Sequence, residues 1–449
     1  MALLIALAAL TLLSFFISFF KSKYSRESYL LFNGYCLPLM SLGVTPAAFG
    51  GLQVFAVLAY FAFFFFIKDF IFISDKNKIY FYLFSGLMVI LLTGSFYSEF
   101  VTNSLFSILS VLPIFIFSRL LLKELFVNPG LMHKMIRVFQ WSFLVAVVFM
   151  IMQMLVGITF NFYENRSPGL NPNVSAEEGI RYPGFFMDAQ MNTQFLGMLS
   201  FLFLINFKNI FKPAAVNYLL FSLVVVAVFL SGGRSGFFGL TAGFCFLVLF
   251  LGWRMRYFIG LGTFIAMVSM SFLKDSFILF KRMNTFDDSY TFRAYIWKEA
   301  YNIFLDHKFL GIGIGNYKDY ANHYSSDQYY VLKDNSILLL DQPENGYLKL
   351  LTEFGIIGFV ISFLLIIIPV SKALYAHLET RTNHFALFCI ASIICWLVSF
   401  NSLYTLTDAR IVILLTSLTC FVIKSNAFNL TSTENKLINT SIREQLSPL

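Results

Sequence analysis

The segment Tyr290-Thr-Phe-Arg-Ala-Tyr-Ile-Trp-Lys-Glu-Ala-Tyr-Asn-Ile-Phe304 decides how the chain is read. Phe292, Ile296, Ala300, Ile303 and Phe304 recur at helical spacing, so it reads as an amphipathic helix. Arg293 and Trp297 stand one turn apart on another side. The segment lies within a hydrophilic stretch, Lys274 to Pro343, that separates two apolar runs of membrane length. After it, Gly311-Ile-Gly-Ile-Gly315 reads as a flexible turn, and Gln342-Pro-Glu-Asn-Gly-Tyr leads back into apolar sequence. A polar cap carried by an apolar bundle is the expectation.

The rest of the chain bears this out in composition. Of 449 residues, 58% are hydrophobic and only 12% charged, too little polar surface for a soluble domain of this length. A spanning helix needs about 20 apolar residues. Such runs fall near 2–20, 29–48, 52–67, 79–97, 104–122, 138–160, 189–207, 216–232, 235–252, 257–273, 348–370, 384–400 and 410–424. The fold class expected is all-α, a polytopic bundle of about 12–14 transmembrane helices with one large, partly helical outer loop.

Alternate loops differ in charge. One set, from Lys21 to the C-terminal tail, holds 19 cations against 7 anions, net +12, and the other holds 13 against 17, net −4. By the positive-inside rule the first set is cytoplasmic, which places 161–188 and 274–343 outside and 425–449 inside as a flexible tail. The basic residues are scattered over short loops, so the overall charge of +8 is an orientation signal and no nucleic-acid partner is expected. The five cysteines all fall in apolar runs and read as small buried hydrophobes. No metal-ligand spacing, nucleophile elbow or phosphate loop is present, and neither a metal nor a cofactor is expected.

What the outer side offers is arginines and carboxylates: Arg181, Arg234, Arg293, Glu344, Glu353, Asp408 and Arg410. Guanidinium forks grip phosphate oxygens and stay charged, so two or three can stabilise a diphosphate leaving group without a metal. A carboxylate beside them can accept an acceptor's proton, and Glu344 at the re-entry point is the choice. Each has a plainer reading. Arg181 is equally an interfacial snorkelling residue, and Glu353 is as readily paired with Lys349. In Ser231-Gly-Gly-Arg-Ser-Gly236 the glycines suggest close approach of an anion, against the alternative of a tight helical hairpin.

Taken together, these blocks resemble the O-antigen polymerase and O-antigen ligase superfamily of bacterial membrane glycosyltransferases. Ser231-Gly-Gly-Arg-Ser-Gly236 is similar to that family's small-residue segment with its Arg. Arg293-Ala-Tyr-Ile-Trp297 and Phe309-Leu-Gly-Ile-Gly-Ile-Gly315 resemble its Arg-helix and glycine turn. Pro343-Glu-Asn-Gly-Tyr-Leu with Glu353-Phe-Gly355 and Gly358 resembles its re-entry block, and Arg181-Tyr-Pro-Gly184 its Arg-x-x-Gly. The resemblance covers 181–360. It implies a metal-independent, inverting enzyme at the periplasmic face of the inner membrane, acting on undecaprenyl-diphosphate-linked glycans. Glu344, Arg234 and Arg293 would be catalytic. Arg181, Arg234, Arg293, Trp297, Asn345 and Tyr347 would bind the lipid diphosphate and glycan. Membrane lipids, and a chain-length regulator protein, are the other partners it brings into view. Ligases of the family carry His where this chain has Glu344, so a polymerase is favoured. The rivals are a ligase transferring polysaccharide to lipid A–core and a lipid-linked oligosaccharide flippase. The catalytic domain expected is 1–424.

Overall fold

A computed structural model describes residues 2–21, 25–44, 51–71, 78–163, 173–175, 179–205, 214–251, 279, 286–324, 329–331, 337–339, 342–380 and 384–426. The expected span at 257–273, the start of the long loop and the tail beyond Asn426 lie outside these. The helices are α1 (Ala2–Lys21), α2 (Ser25–Tyr35), α3 (Val54–Phe65), α4 (Lys68–Ile71), α5 (Lys78–Phe96), α6 (Val101–Val127), α7 (Gly130–Val156), α8 (Ala189–Ser200), α9 (Ala214–Ser231), α10 (Arg234–Phe250), α11 (Phe286–Asp306), α12 (Tyr317–Tyr324), α13 (Gly346–Thr380), α14 (His384–Phe400) and α15 (Ala409–Asn426). Two antiparallel hairpins of short strands, Val174–Ser175 with Gly179–Ile180 and Tyr329–Val331 with Ile337–Leu339, are the β-structure among the described residues. The protein is an all-α, multi-pass helical bundle.

Five described helices are long and apolar enough to cross a membrane: α5, α6, α7, α13 and α15. Shorter apolar helices at Ala6–Phe19, Val54–Phe65, Leu219–Ser231, Arg234–Phe250 and Phe385–Phe400 pack among them. Pro113 lies inside α6, which continues through it, whereas Pro38 opens a 3₁₀ turn at Leu37–Leu39. The core is rich in Phe. Phe15, Phe19 and Phe61 interlock α1 with α3, and Phe185, Phe186 and Phe195 interlock the 181–188 turn with α8. Cys389, Cys395 and Cys420 are buried thiols, while Cys245 is exposed.

Charged and polar contacts gather at two ends of the bundle. At the basic end, Arg26 bridges Asp69 at 2.8 Å and Glu124 at 3.1 Å, and Lys134 meets Glu27 at 2.5 Å. At the other end lie the segments near 41–44, 51–53, 97–107, 157–163, 179–189, 231–235, 306–324, 342–356 and 398–410, tied by contacts such as Ser41 to Asp408 and Gln53 to Thr407. There Arg410 is 1% exposed; it forms a bidentate pair with Asp408, donates to the Phe185 carbonyl at 2.6 Å and lies 4.2 Å over the Phe186 ring. Asp408 and Arg410 therefore anchor α15 to the 181–188 turn.

The cap is built on α11. Ala300 and Ile303 pack with Ile312, Tyr317 and Ala321 into a satellite core, and Ile296 is buried one turn earlier. Phe304 on the same expected stripe is half-buried, and Phe292 lies where side chains are not described. The glycine turn between α11 and α12 is not loose. Ile312 N–H bonds the Thr352 carbonyl at 2.9 Å, and Ile356 N–H bonds the Lys308 carbonyl at 2.8 Å. A Cβ on Gly311 would lie 2.5 Å from the Glu353 backbone. Asn316 reaches Ser104 Oγ at 2.8 Å and the Ile312 carbonyl at 3.0 Å, closing the turn against α6. Its amide hydrogens give the buried Ile312 carbonyl and Ser104 Oγ a donor inside the contact, the role of a polar Asn at its centre. The flexible turn expected from the glycines is instead a packed wedge.

α13 is two helices. Gly355 has φ 63 and ψ −178, so 346–354 and 356–380 are separate segments at an angle. Tyr347 and Phe363 stack with ring centroids 5.5 Å apart. In an unbroken helix sixteen residues would separate them by about 24 Å. The first segment is thus a half-helix folded back over the start of the second.

Candidate functional site

The half-helix 346–354 opens the site. Asn345 is its N-cap: its Oδ1 accepts from Tyr347 N–H at 3.0 Å and Leu348 N–H at 3.2 Å. Its amide nitrogen donates to Asn401 Oδ1 at 3.0 Å, joining the α13 entry to the end of α14. Gly346 lies against the Phe400 ring, where a Cβ would be 2.5 Å from it. The residue just before the cap, Glu344, has φ 47, the sole non-glycine residue with positive φ among those described. Pro343 fixes the chain ahead of it, and the cap fixes it behind. The carboxylate is thereby aimed at α11.

Arg293 meets it there. The Arg293 guanidinium lies 3.6 Å from a Glu344 oxygen, and the two side chains are 18% and 26% exposed. Gln342 reaches the same carboxylate at 3.4 Å. This is a half-open ion pair at the mouth of the cap, reachable by solvent and by a substrate. Trp297 is half-buried one turn further along α11.

Arg234 is the first residue of α10 and 7% exposed. Its neighbours explain the glycines: a Cβ on Gly233 or on Gly236 would collide with Thr193 of α8, and Gly232 turns the chain with φ 72. The tight hairpin accounts for the glycines, because α8 and α10 approach too closely for side chains. The arginine's place is set by two further bonds. Ser399 Oγ donates to the Ser235 carbonyl at 3.0 Å, and Ser231 Oγ donates to the Tyr182 carbonyl at 2.8 Å. Arg181, 8% exposed, adjoins that second contact, and its own N–H bonds the Asn173 carbonyl at 2.9 Å.

The segments that carry these residues form one ridge at one end of the bundle. Ser231 Oγ bonds the carbonyl of Tyr182, next to Arg181, and the α14 terminus bonds the neighbours of Arg234 and of Glu344, through Ser399 to the Ser235 carbonyl and through Asn401 to Asn345. Arg293 and Glu344 are in direct contact. Asn345 is committed to capping. Tyr347 donates its hydroxyl to the Leu397 carbonyl and packs its ring on Phe363 and Phe400, so both hold the half-helix in place. Glu353 is 2% exposed and its carboxylate accepts the backbone N–H of Tyr317 at 3.3 Å, with a second backbone bond from Gly315. It fastens the glycine wedge to the half-helix.

Sequence reading missed the segment Ser399-Phe400-Asn401, on which the ridge hinges. Its signal was faint: two polar residues around a Phe at the end of an apolar run. It also missed Asn316, whose position directly after the third glycine was the available clue. Among the described residues no group of three or more His, Cys, Asp or Glu side chains is placed to hold a metal.

No curated protein matches the chain. Residues 219–363 match the sequence model of the family described as O-antigen ligase, a region running from α9 to the first part of α13 that contains Arg234, Arg293 and Glu344. The match covers about a third of the chain and is consistent with the O-antigen polymerase and O-antigen ligase superfamily.

Proposed function

We propose that the protein is a polysaccharide polymerase of this superfamily. It transfers a growing glycan from undecaprenyl diphosphate to the non-reducing end of a fresh lipid-linked repeat unit, at the periplasmic face of the inner membrane. The observation that carries this reading is the half-open Arg293–Glu344 pair at the head of the re-entrant half-helix, with the segment that carries Arg234 tied to it through the α14 terminus.

The chemistry needs three services. The acceptor hydroxyl must lose its proton as its oxygen bonds the anomeric carbon, and Glu344 takes that proton. The bond from the anomeric carbon to the diphosphate oxygen breaks, and the lipid diphosphate leaves with the electron pair. Guanidinium groups aimed at its oxygens stabilise the charge that develops there, and Arg293 and Arg234 supply them, with Arg181 nearby. Attack from the face opposite the leaving group inverts the anomeric centre. A donor that carries its own diphosphate suits a compartment without nucleotide triphosphates, and no metal enters this scheme.

Within the superfamily Glu344 favours the polymerase reading, because ligases of the resembling type carry His at that position; the acceptor group is a sugar hydroxyl in either case. The test is an electrophoretic profile of lipopolysaccharide from cells lacking the gene. Core capped by a single repeat unit is the result expected of a lost polymerase. Core with no repeat unit at all would assign ligation or flipping instead, and an unchanged ladder would move the activity to another surface polysaccharide.

A further inference from the structure

The half-helix 346–354 has a second side, and the pair described above does not use it. Two cavities open there, of about 230 Å³ and about 190 Å³. They share Val111, Ile114, Tyr404, Leu406 and Val412 as walls, so they adjoin. None of Arg181, Arg234, Arg293 or Glu344 lines either chamber.

The two chambers differ in chemistry. The one nearer the cap is the more polar: Ser107, Ser110, Thr407 and Tyr404 face it with Lys349 and Glu353. Glu353 is occupied by the backbone N–H groups of the glycine wedge. Lys349 is the one cation among the residues lining this chamber, its ammonium 4.7 Å over the Tyr404 ring. Burial, with the neighbouring Glu353 charge, pushes the Tyr404 phenol well above its ordinary value, so it stays a neutral donor. The other chamber is walled mainly by Phe, Leu, Ile and Val of α5, α6, α13 and α15; its one cation, Arg119, lies toward the basic end with its Nε on the Asp69 carbonyl at 3.2 Å. Along α6 the lining runs from Ser107 to Leu122, about 22 Å of helix axis, most of the depth of a hydrocarbon layer.

A chamber with one ammonium and several hydroxyls suits an anionic head, and a slot of that depth and composition suits a hydrocarbon chain. We infer that the adjoining chambers hold a single-chain lipid phosphate, its head beside Lys349 and its chain in the slot, as a second lipid site across the half-helix from the Arg293–Glu344 pair. This deepens the polymerase reading and rests on it for the lipid's identity. A polymerase must hold two lipid-linked glycans at once, and a partition with one lipid on each side provides for both.

The test reads binding without turnover. The full-length protein in lipid nanodiscs is exposed to farnesyl phosphate carrying a diazirine on its chain, and labelled peptides are mapped. Label within 80–87, 111–122 or 412–423 is expected, competed by undecaprenyl phosphate. In Lys349→Met it should weaken about tenfold, the loss of one charge-assisted contact, while Arg293→Ala should leave it unchanged. Label confined to other segments would overturn the proposal on the wild-type protein alone, whatever the variants do. Equal competition by phosphatidylglycerol would overturn it in favour of an ordinary bilayer lipid, and wild-type labelling in Lys349→Met would remove the head-group contact on which it rests. Failure of the polymerase reading would show on the lipopolysaccharide gel and leave this map intact.

Discussion

Glu344 sits in a backbone conformation that costs a side-chain-bearing residue free energy. A left-handed φ is disfavoured by about 1–2 kcal/mol for residues other than Gly, and Asn or Gly would fill the position more cheaply. Retaining a carboxylate there is what a working residue would require. Glu344→Gly should therefore leave the protein as stable as wild type or slightly more so by thermal unfolding in detergent, while abolishing product. Glu344→Gln keeps the shape and removes the base, and should lower turnover by roughly 10²–10⁴-fold. Normal product from either variant would take the proton-accepting role away from Glu344. Arg293→Ala should abolish product with the protein still present in the membrane. Arg293→Lys should recover little of it, because an ammonium lacks the planar fork that grips two phosphate oxygens.

At the scale of the element, the break in α13 decides where Glu344 points. Gly355 packs against the Phe309 carbonyl and Gly311, and a Cβ there would overlap the Phe309 backbone while also occupying a positive φ. Gly355→Ala should destabilise the cap by about 3 kcal/mol or more. Proteolytic nicking between 306 and 346 in the membrane-inserted protein is the readout. An unchanged digestion pattern would mean that the wedge is not what holds the half-helix. The α8–α10 contact makes a second prediction. Gly233→Ala collides with the Thr193 side chain, so Thr193→Ala should partly rescue it, since most of the offending atoms belong to that side chain.

At the scale of the whole molecule, the basic end is held by carboxylates inside a cationic rim. Burial alone would raise the Asp69 carboxyl. The hydrogen bonds and charges of Lys123 and Arg26 outweigh burial and hold it below its ordinary value. A depressed folded-state value contributes stability that is complete above the unfolded value, about 4, and is lost as pH falls through the folded one. Asp69→Asn should cost roughly 1.5–3 kcal/mol at neutral pH. Its deficit against wild type should shrink as melting is followed below pH 4. A deficit independent of pH would mean that the ion pairs are not its cause.

The apolar runs, their lengths and the sign of the loops between them were enough to set an all-α multi-pass bundle, because a bilayer leaves a backbone few ways to satisfy its hydrogen bonds. The sequence also marked Arg181, Arg234, Arg293 and Glu344, since a charge beside an apolar run stands out. It did not distinguish a loose glycine turn from a wedge, nor show that Asn345 and Tyr347 spend polar atoms on tying helix 346–354 to α14 and the residue after it. Those assignments depend on partners 50 to 56 residues away, Leu397 and Asn401, which no local pattern encodes. The sequence by itself determined a multi-pass helical bundle and which groups can carry charge. Tertiary structure alone decided which of those charges meet, because Arg293 and Glu344 touch only when Gly355 folds the half-helix back beneath α11.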